Sequence, residues 1–331
     1  MTLEDIRGLV AAELAAVDGV IRTRLDSAVP LVSQVAEHIV AGGGKRLRPL
    51  VVLLAAHAAA GGGRLKGNAH LDAAAFIEFI HTATLLHDDV VDHSALRRGR
   101  DTANTLFGNE ASVLVGDFVY SRAFQMMAAI GVQRVMEIMA AATNVIAEGE
   151  VLQLMNAQDP DTTEERYLQV IHRKTAKLFE AGAEVAAVLA EADLDVQRAL
   201  AAYGRHLGVA FQLIDDVLDY RSDPATRGKQ LGEDLAEGKM TLPLIHALRH
   251  AAGPEVELIR AAVAGAGEEG RPEPDLARII ACIDAAGGIE YTREKALAES
   301  RAAVAALAPV GISRYRDALA ALAETAVDRD R

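Results

Sequence analysis

The residues of this chain best suited to chemistry lie in two short acidic runs. Residues 76–98, FIEFIHTATLLHDDVVDHSALRR, form an apolar helical stretch that ends in Asp88, Asp89 and Asp92 and is followed by Arg97 and Arg98. On a helix, Asp88 and Asp92 stand one turn apart on the same face with Asp89 beside them, and carboxylates so placed repel one another unless a cation lies between them. Residues 211–220, FQLIDDVLDY, repeat the spacing at Asp215, Asp216 and Asp219. A single run of this kind reads more readily as a solvated helix end. Two of them, each where an apolar helix face gives out, point to a shared site. Oxygen-only ligands select a hard divalent ion, here Mg2+, which completes its shell with water and substrate phosphates. The two runs therefore predict a site for metal plus phosphate.

Basic residues elsewhere fit that chemistry without proving it. Gly42-Gly43-Gly44 is followed by Lys45, Arg46 and Arg48 ahead of Pro49. A glycine turn with cations at a helix entrance suits a diphosphate, because free backbone N–H groups and side-chain charge point the same way. A helix cap with surface cations would read identically. Lys174 falls within a helical stretch, where a lysine is ordinarily solvated. The segment 221–241, rich in glycine and charge, reads as a mobile lid from which Lys229 and Lys239 reach inward.

Taken together these motifs resemble the trans-prenyl diphosphate synthases. The resemblance is carried by the two DDxxD runs, by Arg97-Arg98-Gly99, and by Gly43-Gly44-Lys45-Arg46-Leu47-Arg48-Pro49. HTATLLHDDVVD, GEVLQL at 149–154, KTA at 174–176 and GKMTLPL at 238–244 are similar to the long-chain, bacterial octaprenyl-type branch. The likeness extends from about residue 5 to the C-terminal DRDR, with no core motif missing. It implies an all-α fold, a single large helical bundle with a central cavity spanning residues 1–331, and a homodimer. It implies Mg2+ held by Asp88, Asp92 and Asp215, with Asp89, Asp216 and Asp219 completing the motifs. Arg97, Lys174 and Lys239 would hold an allylic diphosphate, and Lys45, Arg48, His81 and Arg98 the metal-free diphosphate of isopentenyl diphosphate. Thr175 and Gln212 would be polar contacts near the reacting carbons. His81 also reads as a satisfied core histidine, since it lies on an apolar helix.

The elements that must position these residues read as helices throughout. Apolar residues make up 51% of the chain, aromatics only 4%, and tryptophan is absent, which suits closely packed helices. From Leu3 to about Val40 the apolar residues recur at three and four, with a break at Pro30. Residues 111–155 predict one or two long helices. Met126, Met127, Met136 and Met139 on them serve equally as core filler or as the wall of an apolar tunnel. Asp159-Pro160 breaks the pattern, and Thr162 or Thr163 can cap the next helix. No strand alternation is visible.

A net charge of −13 argues against a nucleic-acid partner, whose phosphates require a basic face. The single Cys282 cannot form an internal disulfide, so a reducing cytoplasm is expected. The acidic first twenty residues are unlike a signal peptide, and the apolar run Leu50–Ala60 is too short to span a bilayer. No transmembrane segment is expected, with peripheral membrane contact left for release of an apolar product.

The chemistry implied is ionisation of an allylic diphosphate followed by attack of the isopentenyl double bond. Small residues one turn before the first motif, Ala83 and Thr84, would let a chain grow past this level. The expected product is therefore long, about C40 by family likeness, suited to a quinone side chain. Shorter-chain synthesis remains an alternative. A di-iron carboxylate bundle would need two Glu-x-x-His pairs, and only Glu78-Phe-Ile-His81 is present. A non-catalytic partner subunit would be expected to lack an aspartate motif. A terpene cyclase would have no need of the GGKRLRP pocket.

Overall fold

The computed structural model describes residues 1–42, 44–97, 99–221, 231–267 and 274–329. Arg98 and Lys229, and with Lys229 residues 222–230 of the expected lid, lie outside the described residues.

The chain is an α-helical bundle, as the periodicity predicts. The expected N-terminal helical stretch is cut into three: α1 (Leu3–Gly8), α2 (Ala11–Leu25) and α3 (Pro30–Ala41). Thr2 and Asp5 form a reciprocal capping box on α1, and Pro30 occupies the first turn of α3, where its missing N–H costs nothing. The next helix, α4 (Leu47–Ala59), is buried on every side from Pro49 to Ala56, as befits a helix apolar all round. Against it lies α5 (Ala69–Val91), whose buried stretch runs from Ala73 to Ile80 and on to Ala83 and Leu86, and which ends at the first aspartate motif. Full burial of a side chain such as Leu50, Leu53 or Phe76 contributes about 2 kcal/mol.

One expectation is corrected here. Leu96–Arg97 (β1) and Arg100–Asp101 (β2) pair as an antiparallel hairpin, each strand two residues long. Segments this short carry no alternation, so no pattern could have marked them. The hairpin turns the chain into α6 (Ala103–Phe107) and α7 (Asn109–Ile130), which packs along α5. Gly131, in the left-handed region at φ 73°, closes α7 and separates it from α8 (Gln133–Asn156). By length and composition α7 alone, among the described helices, could cross a bilayer. It nevertheless lays a buried stripe against α5 and carries Asp117 and Arg122 mid-helix. Met126, Met127 and Met139 are buried and Met136 partly so, all in the main apolar core.

Thr163, not Thr162, caps α9 (Glu164–Ile171), accepting the Arg166 N–H. A single π turn at His172–Ala176 then passes without a break in direction into α10 (Lys177–Leu189), which packs between α4 and the long α11 (Leu194–Arg221). The short α12 (Glu233–Ala236) precedes α13 (Leu242–His250), α14 (Pro254–Ala264), α15 (Leu276–Ala285), α16 (Gly288–Ala306) and α17 (Arg314–Val327). Two apolar clusters result. The larger joins α1–α5, α7, α8, α10 and α17. The smaller joins α9, the C-terminal half of α11 and α13–α16.

Glu164, at the start of α9, ties the smaller cluster together. Its carboxylate accepts from Tyr291 Oη at 3.0 and 3.1 Å, from Lys295 at 3.0 Å and from Arg249 at 3.2 Å. Burial raises its pKa, but the Lys295 and Tyr291 contacts outweigh it and hold the group below its ordinary 4.5. A depressed folded-state pKa contributes stability above the unfolded value, and that contribution is lost as the pH falls through the folded value. Glu164→Gln is therefore expected to cost about 1 kcal/mol at neutral pH. In urea titrations across pH the difference from the parent should vanish well below 4.5.

Candidate active site

The two aspartate motifs meet across one pocket. Its walls are Leu85, Asp88 and Asp92 from α5, Gln153 and Asn156 from α8, Tyr167, Lys174 and Thr175 from α9 and the π turn, and Gln212 and Asp216 from α11. Arg97, Asp234, Glu237 and Lys239 complete the rim, around a cavity of about 190 Å³. The helices arrive here because each is apolar up to this level. Charge begins on all of them where the core ends.

Each motif divides its labour. Asp88 Oδ2 lies 3.3 Å from Lys174 Nζ and Asp92 Oδ2 lies 2.8 Å from Lys239 Nζ. Asp89 turns the other way and is buried, accepting from Arg97 Nε at 2.9 Å and from an Arg97 terminal nitrogen at 2.6 Å on the same Oδ1. Burial pushes Asp89 up despite that pairing. In the second motif, Asp216 is buried with both oxygens engaged, Tyr167 Oη donating at 2.5 Å and Gln212 Nε2 at 2.8 Å. Burial first, and then Asp234, hold its pKa well above the carboxylate range. Asp219 accepts the Asp234 N–H at 3.2 Å and so anchors the start of α12. Asp215 does not line the pocket. Its Oδ1 meets an Arg329 guanidinium nitrogen at 2.8 Å.

The expected cationic residues take different places. Lys174 is bound between Asp88 and Glu150, the latter at 2.5 Å; burial opposes its charge, yet the two carboxylates leave its pKa raised. Lys239 sits likewise between Asp92 and Glu237, and its pKa is also raised. Thr175 Oγ1 donates to Gln212 Oε1 at 3.1 Å, so this pair stands beside Asp216 as a unit. Arg48, near the start of α4, lies outside the pocket. It is half-buried with its guanidinium over the Phe179 ring at 4.5 Å, and desolvation pulls its pKa down to about 10. Its Nε has no hydrogen-bond partner among the described residues. Lys45 precedes the same helix, with its carbonyl accepting from Arg7 at 2.6 Å. His81 is half-buried on α5, two turns before Asp88. Of the two residues expected to control chain length, Ala83 is fully buried in the main core and Thr84 donates to the His81 carbonyl at 2.8 Å. Neither lines the pocket; Leu85 does.

Sequence reasoning missed Glu150, Glu237, Asp234, Tyr167 and Arg329. Glu150 stands in GEVLQL, and Arg329 in DRDR, both noted above without a role. Tyr167 carries no sequence signal, because nothing local says that a tyrosine forty-nine positions upstream will face Asp216.

The donor set suits a hard divalent cation. Asp88, Asp92, Asp216, Asp234 and Glu237 supply oxygen alone, and mutual proximity to Asp88 and Asp92 adds to burial in raising Glu150 to about 7. Among the described residues, no three His, Cys, Asp or Glu side chains converge on a point where they alone would hold an ion.

Comparison with known proteins agrees. The family model described as polyprenyl synthetase matches residues 29–276. An octaprenyl diphosphate synthase of Escherichia coli (strain K12) is 51% identical over 331 residues, covering 100% of both chains. An all-trans-nonaprenyl-diphosphate synthase (geranyl-diphosphate specific) of Rhodobacter capsulatus is 45% identical, covering 98% of each. A Caulobacter crescentus CB15 polyprenyl synthase, solved in complex with calcium and isoprenyl diphosphate, superposes with a TM-score of 0.93 at 42% identity, covering 100% of this chain and 98% of its own. Matched over its length, and with both acidic motifs on one pocket, the chain belongs to the polyprenyl synthetase family and is a prenyltransferase.

Proposed function

We propose that this prenyltransferase condenses isopentenyl diphosphate repeatedly, head to tail, onto an allylic diphosphate such as farnesyl diphosphate, to a trans product of about C40 suited to a quinone side chain. The observation that carries the reading is the placement of Asp88 and Asp92 on the wall of one pocket, opposite the second motif, with a lysine ammonium on each. The octaprenyl and nonaprenyl relatives support the product class.

Mg2+ held by Asp88, Asp92 and Asp215 would supply Lewis-acid charge to the leaving diphosphate. Asp216 lines the pocket with both oxygens engaged by Tyr167 and Gln212, and Asp215, outside the pocket wall, would exchange its Arg329 partner for the ion. Lys174, Lys239 and Arg97 bind the allylic diphosphate at the rim, where their charge meets the negative charge that grows as the carbon–oxygen bond breaks. Arg48, whose buried Nε has no partner among the described residues, binds the second diphosphate together with Lys45, His81 and Arg98. Thr175 and Gln212 orient the reacting carbons, and Lys229 belongs to the covering segment. The growing chain passes Ala83 and Thr84 into the apolar layer of Ile80, Ile77 and the methionines of α7 and α8.

Residues 1–331 act as one domain, a reading supported by a pocket whose walls come from both apolar clusters. The chain pairs as a homodimer in the cytoplasm, supported by exposed Leu96, Leu106, Val113 and Leu114 around α7, and touches membranes only to release product.

Two measurements test this. Mass analysis of products from farnesyl and isopentenyl diphosphates with Mg2+ should show a long polyprenyl diphosphate, abolished by chelator. Asp88→Ala and Asp215→Ala should each lower turnover about 100-fold or more, with unfolding midpoints retained. Near-native turnover in either variant removes the assignment. Ala83→Phe or Thr84→Phe should shorten the product to about C15–C20, since each adds a ring one turn from Asp88. An unchanged product distribution in both variants would place the chain path elsewhere.

A further inference from the structure

The helix that presents Lys174 and Thr175 is not a regular α-helix at that point. The Lys177 N–H reaches back to the His172 carbonyl, five residues earlier, so one extra residue is accommodated between α9 and α10. A π turn is less stable than the α-helix it interrupts and persists only where surrounding structure holds it. The neighbours here are unusually close. A Cβ on Gly149 of α8 would lie 2.8 Å from Arg173 Cβ and 2.8 Å from the Lys174 backbone nitrogen. A Cβ on Gly208 of α11 would lie 2.6 Å from Ala176 Cα. One turn earlier on α11, a Cβ on Gly204 would strike the Phe179 carbonyl. These contacts are largely with backbone, so no rotamer change relieves them. Glycine in mid-helix costs about 0.5–1 kcal/mol relative to alanine, and Gly8 and Gly19, on other helices, have nothing within 4 Å.

We infer that Gly149 and Gly208, with Gly204, are positioning residues for the allylic diphosphate: from opposite sides they let α8 and α11 close on the π turn and set where Lys174 and Thr175 stand. Lys174 reaches Asp88 at 3.3 Å and Glu150 at 2.5 Å, and Glu150 follows Gly149 on the same helix. Thr175 reaches Gln212, one turn beyond Gly208 on α11. Each glycine thus fixes the separation between two helices whose next residues make the polar contact. A displacement of about 1 Å in a group that positions substrate costs about 100-fold in rate. Gly204 and Gly208 also abut Phe179, whose ring Arg48 covers at 4.5 Å, whereas Gly149 meets only Arg173 and Lys174.

The inference rests on the proposed function, and the experiment separates the two. Gly149→Ala and Gly208→Ala would be compared with parent and with Gly19→Ala by steady-state kinetics, varying each substrate in turn, and by equilibrium binding of a non-ionisable allylic diphosphate analogue. The expected result is at least tenfold weaker analogue binding or slower turnover in both variants, a Michaelis constant for isopentenyl diphosphate within about twofold of parent in Gly149→Ala, and Gly19→Ala unchanged. Should an alanine variant not fold, deletion of His172 removes the extra residue without adding an atom, and it must give the same split. Parent-like analogue binding and turnover in the folded variants, or equal losses toward both substrates in Gly149→Ala, would overturn the inference. If the parent itself neither binds the analogue nor forms product, the proposed function fails instead.

Discussion

Uncompensated negative charge is the constraint on which the rest of this molecule depends. Two helices, α5 and α11, each end an apolar face in aspartates, and the bundle brings those ends to one cavity that Asp234 and Glu237 also reach. At separations of a few ångströms and partial burial, like charges of this number oppose folding by several kcal/mol in total. The structure offsets them individually. Lys174 lies between Asp88 and Glu150, Lys239 between Asp92 and Glu237, Arg97 closes on Asp89, and Arg329 on Asp215. Each of these cations comes from a different segment than the carboxylate it neutralises, except Arg97 with Asp89 and Lys239 with Glu237. The folded chain therefore holds an arrangement that a divalent ion and a diphosphate together would satisfy better than ammonium groups do.

A second cationic feature lies beneath that cavity. Arg48 stacks on Phe179, Phe179 lies 5.9 Å from Phe211, and Arg329 covers Phe211 at 3.8 Å. Two guanidinium groups thus cap two neighbouring rings, one from near the start of α4 and one from just beyond α17. Ring faces attract cations without neutralising them, so charge is held in an apolar setting while its attraction for an anion is retained. Asp215, paired with Arg329 and felt by Arg48, connects this stack to the second motif.

Both features require helices to approach closely and end at the same level. Alanine and glycine along α4, α5, α10 and α11 permit the approach, and burial of their leucine, isoleucine and phenylalanine neighbours drives it. Stability and function compete at the boundary. The π turn at His172–Ala176 lies at that boundary, with Ala176 buried and Lys174 and Thr175 lining the pocket.

The sequence by itself determined the helical class, the positions of both acidic motifs and the chemistry of their ligands, because helix periodicity and i, i+4 spacing are local and survive without tertiary context. Lys174 and Lys239 were legible through the motifs around them, and Arg48 through its glycine turn. Only the tertiary structure decided which members of each motif face the cavity: Asp88, Asp92 and Asp216 do, whereas Asp89 and Asp219 brace the hairpin and α12. Only it revealed Tyr167 on Asp216, Glu150 on Lys174 and Arg329 on Asp215, which join residues far apart in the chain. It also replaced Thr84 with Leu85 on the pocket wall, since a helix's rotation about its own axis is set by its neighbours and a single residue's step turns a side chain by about 100°. Spacing along a helix is a property of the backbone; the direction a face points, and what meets it, belongs to the packing.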